Sequence, residues 1–294
     1  MKNHMIRVIG AKAHVVGLAC VTTALVEEAA RLHDTSPAAT IALGRALTGG
    51  LLMGALLKLG QRVALKFEGN GPLKKILVEA DSDGAVRGFV ANPDAEVPYI
   101  PGKIRVSDAL GTEGFLTVFK DVGLEEPYQG IVKLRTGEIA EDLAYYYAES
   151  EQIPTALALG VYVEPDGRVT AAGGFLVQSF PPVDAALIDR LIERIGKLPP
   201  VTDILRKGAG PEEMIGAIFG EIPCRILERR ELFYRCTCSR ALIERVLISL
   251  GHDELSTIRR EEGTADVTCE FCRSHYRFTS AELEALIQDA PCPA

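Results

Sequence analysis

Two short stretches near the C-terminus carry residues able to do chemistry: RCTCSR at 235–240 and CEFCRSHY at 269–276. They hold four of the chain's seven cysteines. Cys236 and Cys238 are one residue apart, and Cys269 and Cys272 two residues apart. Four thiolates close a structural zinc site, and two close pairs, each on a turn, bring four sulfurs together across one loop. Four unrelated buried thiols would have no reason to occur in pairs.

The C-x-C pair is the unusual one. A single intervening residue makes a tight chelate and leaves two sulfurs near enough to join. Such a disulfide would be strained, and strained disulfides are readily reduced. Arg235, Arg240 and Arg273 flank the pairs, and nearby cations favour the thiolate, the form that oxidants attack. The same four residues can therefore hold zinc when reduced and carry two disulfides when oxidised. His275 follows Cys272 by three residues, and beside four thiolates its expected place is around the site or in packing rather than on the metal. Cys20, Cys224 and Cys292 have no partner in sequence and read as ordinary residues.

What must position these cysteines is a chain of 294 residues, 47% apolar, with net charge −8. At roughly 150 residues per domain, two domains are expected. An α+β fold follows, with three regions. Residues 1–178 read as an N-terminal domain of antiparallel sheet and helices. Lys2, Arg7 and Lys12 precede the apolar run AHVVGLACVTTALV, which resembles a weak leader peptide, but EEAARLHD follows without a cleavage site, so a strand running into a helix is expected. Ser36 and Pro37 suit the N-cap and first position of a helix that is apolar nearly all round, hence buried. Its Gly49, Gly50 and Gly54 suit close packing. The run 46–57 is shorter than the roughly 20 residues a membrane span needs. Val63, Leu65 and Phe67 alternate as in a strand; FLTVFK (115–120), YQGIVKL (128–134) and a hairpin closed at PDG add others. GEIAEDLAYYYAESEQIP reads as a helix, with Tyr145, Tyr146 and Tyr147 as packing residues and exposed rim.

Residues 179–232 read as a helical linker punctuated by FPPVD and LPPVTD. Val183, Leu187, Leu191 and Ile195 recur every four residues in an amphipathic helix, and PEEMIGAIFGEI forms a second. Sequence alone leaves open whether this segment only connects or docks and detaches. Residues 233–294 form a small zinc-binding domain: a helix at RALIERVLISLG, then a strand leading into a helix with Ser280 as N-cap. About 60 residues make too small a core to stand without a staple.

Several function classes are poorly represented. There is no P-loop, no G-x-G-x-x-G and no G-x-S-x-G, and the histidines suggest no triad. The protein is expected not to be an enzyme. From Arg225 to Ala294 there are ten arginines, no lysines and twelve acidic residues, whereas a phosphate-binding module is ordinarily basic. No nucleic-acid or membrane partner is expected. A protein-binding adaptor with purely structural zinc remains open, as does a dithiol oxidoreductase, although Cys269–Cys272 lacks the βαβ setting of that site. Few, unevenly placed cysteines suit a reducing cytoplasm.

The chain resembles the heat-shock protein 33 family of redox-regulated holdase chaperones over nearly its whole length. The resemblance is carried by TSPAATIALGRALTGGLL, GNGPLKKILVEAD, GAVRGFVANP and GEIAEDLAYYYAESEQIPTALALGV, and by RCTCSR with CEFCRSHYRF. It implies one Zn2+ per reduced chain on Cys236, Cys238, Cys269 and Cys272. It implies that oxidation joins Cys236 to Cys238 and Cys269 to Cys272, releases zinc and unfolds the zinc domain and linker. Dimers would then form, and unfolding client proteins would be held without ATP. Detachment of the linker helix is what this mechanism requires.

Overall fold

The computed structural model describes residues 2–10, 14–98, 104–123, 126–182 and 184–290. Val183 and Cys292 lie outside the described residues. The chain divides into two units, Met1–Arg235 and Cys236–Ala294.

In the larger unit the chain runs β1 (His4–Gly10), β2 (Val15–Val21), α1 (Thr23–His33), α2 (Pro37–Gly54), β3 (Arg62–Gly69), β4 (Lys75–Asp81) and β5 (Ala85–Val90). It continues through α3 (Val106–Leu110), β6 (Gly114–Asp121), β7 (Tyr128–Lys133), α4 (Ile139–Tyr146) with a π-helical turn at Tyr147–Glu151, β8 (Thr155–Val163) and β9 (Val169–Ser179). The remaining elements are α5 (Ala185–Gly196), α6 (Val201–Arg206), α7 (Pro211–Phe219), β10 (Cys224–Glu231) and β11 (Phe233–Tyr234).

Helix α2 begins as its sequence dictates. The Ser36 hydroxyl accepts the Ala39 N–H at 3.3 Å, and Pro37 opens the first turn. Every residue of α2 except Pro37 and Arg45 is buried, because the helix packs against strands of both sheets. Close approach explains Gly54, where an added Cβ would lie 3.2 Å from the Asp81 carbonyl oxygen.

One sheet has the order β10-β1-β2-β9-β8 and is antiparallel throughout. The other has the order β11-β5-β4-β3-β6-β7, antiparallel except for the short parallel pairing of β11 with β5. Strand β2 is buried along its whole length because both its faces are covered. Val16, Leu18 and Cys20 enter the core shared with α2; Val15, Ala19 and Val21 enter a second core.

That second core is where the segment expected to be a linker packs. Leu187 and Leu191 of α5, Val201 and Leu205 of α6, and Met214 and Phe219 of α7 cover the outer face of the five-stranded sheet. Phe219 seats against Gly17, where an added Cβ would meet the ring at 2.7 Å. The segment is helical over α5–α7 but then becomes strand β10, which pairs antiparallel with β1 along His4–Gly10. The expectation of helix throughout 179–232 missed that strand. RILERRE lies mostly exposed at the sheet edge, so no alternating apolar pattern announces it.

The smaller unit comprises α8 (Arg240–Ile248), α9 (His252–Glu261), β12 (Ala265–Thr268), β13 (His275–Phe278) and α10 (Ser280–Asp289). Its core is Ile243, Leu247, Leu255, Ala265 and Phe278, closed by Leu283, Leu286 and Ile287 of α10. The N-cap of α10 is Thr279, not Ser280. The Thr279 hydroxyl accepts from the Glu282 N–H, and Glu282 accepts the Thr279 N–H at 2.8 Å, a reciprocal capping box that the T-x-x-E spacing selects. No helix among the described residues is long and apolar enough to cross a membrane.

Candidate metal centre

Two turns of the smaller unit present the four cysteines. Cys236 and Cys238 lie just before α8, whose N-terminus is capped by the Ser239 hydroxyl accepting the Leu242 N–H at 3.2 Å. Cys269 and Cys272 occupy the turn between β12 and β13, which are in register from Ala265↔Phe278 to Thr268↔His275. The Cys269 N–H donates to the Ser274 carbonyl at 2.9 Å, and the Arg273 N–H donates to the Cys269 carbonyl at 2.8 Å. Arg273 adopts φ 56°, the left-handed conformation that closes this turn.

The four Sγ atoms lie within 4.8 Å of one another. Cys236 Sγ is 3.8 Å from Cys269 Sγ, and Cys238 Sγ is 3.2 Å from Cys272 Sγ. Sulfurs at tetrahedral corners about 2.3 Å from a common centre are about 3.8 Å apart, so the cluster suits a thiophilic metal ion. Cys269 is buried and the other three are half-buried, which leaves the centre close to solvent.

Hydrogen bonding divides the thiols. Burial pushes Cys238 up to about 12, against the opposing effect of its 3.1 Å contact with the Tyr276 hydroxyl. Burial also raises Cys269. For Cys272 burial acts upward too, but hydrogen bonds with the Ser274 hydroxyl and backbone N–H and with the neighbouring thiols outweigh it and bring the group down to about 7. Of Cys238, Cys269 and Cys272, Cys272 is thus the readiest thiolate, and Ser274 Oγ, 3.2 Å away, is its polar support.

The structure brings together all four cysteines singled out from sequence and leaves His275 off the cluster. The His275 ring lies at 2.9 Å from the Thr268 hydroxyl, at the exposed end of the hairpin. The flanking arginines are engaged by carboxylates: Arg235 by Asp83 at 2.7 Å, Arg240 by Glu282 at 2.7 Å, and Arg273 by Glu270 at 3.3 Å. The lowering of Cys272 is carried by hydrogen bonds with Ser274, a residue the sequence did not single out, and with the neighbouring thiols. Tyr276 was also missed; its spacing four residues after Cys272 is the only signal it offered. Cys20 is fully buried in β2 and pushed up to about 12 by that burial, and Cys224 is exposed on edge strand β10.

A family model described as Hsp33 protein matches residues 3–279. The 33 kDa chaperonin of Geobacter sulfurreducens is 60% identical over 284 residues, covering 97% of this chain and 94% of its own. That of Bacillus cereus strain AH187 is 43% identical over 290 residues, covering 98% of this chain and 100% of its own. The crystal structure of the 33 kDa chaperonin, a heat shock protein 33 homologue, from Thermotoga maritima matches with a TM-score of 0.91 and 37% identity, over 98% of this chain and 99% of that one. These relatives are named as chaperonins, not as enzymes.

Proposed function

The chain belongs to the Hsp33 family of chaperones, and on that premise we propose that it is an ATP-independent holdase switched on by oxidation. The reading divides the chain into a chaperone domain at 1–178, a linker at 179–232 and a redox-switch zinc domain at 233–294. Zn2+, one per reduced chain, would cross-link the zinc domain, a contribution worth roughly 10–16 kcal/mol in small zinc peptides. Cys236, Cys238, Cys269 and Cys272 hold it. The observation that carries the reading is the gathering of four thiols within 4.8 Å in a unit with a small core of its own.

Oxidation proceeds in two steps at each pair. A thiolate attacks peroxide to give a sulfenic acid and hydroxide, and the second thiolate of the pair displaces hydroxide to form the disulfide. The pairs are Cys236–Cys238 and Cys269–Cys272; each loses two electrons to the oxidant, and the site loses its ligands. Cys272, brought down to about 7 while its pair-mate Cys269 is raised, is the natural first nucleophile of its pair should metal leave.

The client surface lies under the linker. Lifting α5–α7 off the five-stranded sheet would uncover Ile6, Val8, Val15, Ala19, Phe175 and Val177, all now buried. It would equally bare the apolar stripe of α5, so both faces of one packed interface become sticky together. Unfolding client proteins and a second oxidised copy compete for this surface, which accounts for a homodimer in the oxidised state. The working compartment is a reducing cytoplasm, where the resting form is zinc-loaded.

The test is light scattering from a thermally unfolding client, without ATP, with the protein either reduced and zinc-loaded or oxidised by peroxide. Suppression by the oxidised form alone is expected. Suppression by both forms would remove the switch, and by neither would remove the holdase.

A further inference from the structure

A cavity of about 210 Å³ lies in the larger unit between β1, the chain just after α2, β6 and the π-helical turn. Met53, Leu56, Leu57 and Phe180 give it an apolar wall. Arg7, Lys120, Tyr147, Glu151 and Gln178 give it a polar one. A π-helical turn is rare and frequently marks a functional site; here it supplies both Tyr147 and Glu151.

The charges lining the cavity do not balance. Lys120 is paired with Glu151, each 15% exposed, and its ammonium also stands 5.8 Å from the centre of the Tyr147 ring. Tyr147 is neutral, burial holding its hydroxyl well above the usual range, and Gln178 is neutral. Arg7 differs from Lys120. It takes an inward position on β1, two residues after the buried Met5. Its guanidinium makes a 3.4 Å hydrogen bond to the Ala55 carbonyl, and its Nε is buried without a partner. Among the described residues no carboxylate forms an ion pair with it. Glu228, its cross-strand neighbour on β10, is held by Arg230. The side chains lining the cavity thus carry one more positive charge than negative, and half-buried Arg7, with its Nε fully buried, supplies the excess.

We propose that this cavity binds a small carboxylate carrying an apolar body, its head on the Arg7 guanidinium and its body against Met53, Leu56, Leu57 and Phe180. The planar fork of arginine matches a carboxylate in bidentate fashion. A monoanion balances the single excess charge; a dianionic phosphate would overshoot it beside Glu151. The site is separate from the cysteine cluster, and the inference stands or falls independently of the redox reading.

The test uses the full-length, reduced, zinc-loaded protein, titrated calorimetrically with sodium octanoate and, in parallel, with octylammonium chloride. Octanoate is expected to bind saturably at one site per chain, and octylammonium not to bind. Arg7→Met, which keeps the length of the stem, is expected to weaken octanoate binding by at least about tenfold, the loss of a charge-assisted contact, and to raise the thermal midpoint of the ligand-free protein by removing an unpaired charge. Absence of saturable octanoate binding at millimolar concentration overturns the proposal. So does equal binding by Arg7→Met, or binding of octylammonium as tight as that of octanoate. Should Arg7→Met fail to fold, Arg7→Lys keeps the charge but not the fork: severalfold weaker binding supports the assignment, and unchanged affinity refutes it.

Discussion

The larger unit is ordered by burial. A helix surrounded by two sheets fills one core, and the outer face of one sheet fills a second with the linker helices. The smaller unit has eight buried apolar residues in one cluster, and beside them four thiols within 4.8 Å. Neither core of the larger unit contains any of the four clustered cysteines. Under the proposed function the smaller unit depends on what its thiols bind. One chain thus joins a fold ordered by apolar burial to one with a thiol cluster beside its small core, and under the proposed function a signal on sulfur acts first on the smaller unit and through it on α5–α7.

The strongest way to break that comparison is to remove the metal. Chelation under reducing conditions is expected to abolish amide-exchange protection across 236–290, a loss on the order of 10 kcal/mol, and to leave α2 and its flanking strands protected. Persistent protection of α8 and α10 without metal would show that the small core suffices. Next in size is Leu47→Ala, at a fully buried position of α2, expected to cost the larger unit about 3–5 kcal/mol. Denaturant unfolding followed separately in the two units should show a lowered midpoint only in the larger one. Leu191→Ala on α5 should cost less, about 2 kcal/mol, because a cavity of about 180 Å³ already borders that side chain and tolerates rearrangement. Amide exchange should quicken in α5 while β2 stays protected; loss of protection in both would mean that the linker and the sheet form one cooperative unit. The smallest effect is expected from Thr279→Ala, about 1 kcal/mol through loss of the α10 capping box, read as a modest fall in the midpoint of the smaller unit alone.

How much of this was legible in sequence depends on how local each signal is. The start of α2 was legible because Ser36 and Pro37 act within one turn. The hairpin of β8 and β9 was legible because turn residues sit between alternating runs. The four cysteines were legible because their spacing is itself the signal. Strand β10 was not: it is charged and exposed, and its partner β1 lies more than two hundred residues earlier in the chain. Helix α9 was missed because Leu255 alone of its residues is buried, so it shows no apolar stripe. At the α10 N-terminus, adjacent hydroxyls at Thr279 and Ser280 competed, and the position of Glu282 decides between them. Tyr276 and Ser274 reach the thiols only once the hairpin register is set, which composition does not encode. Arg7, an ordinary basic residue near the N-terminus in sequence, becomes notable only when its inward position on β1 is known.

The close sulfur contacts run across the two pairs, Cys236 to Cys269 and Cys238 to Cys272, rather than only along them. A metal at that crossing ties together positions more than thirty residues apart, and closing a loop of that length removes roughly 4 kcal/mol of chain entropy from the unfolded state. The proposed disulfides join neighbours within each pair and close loops of only three and four residues. Exchanging one set of links for the other therefore replaces four metal–sulfur bonds by two sulfur–sulfur bonds and erases the long loop from the topology of the chain. The links become fewer and more local, so an oxidised chain can carry two disulfides and still be freer to expand.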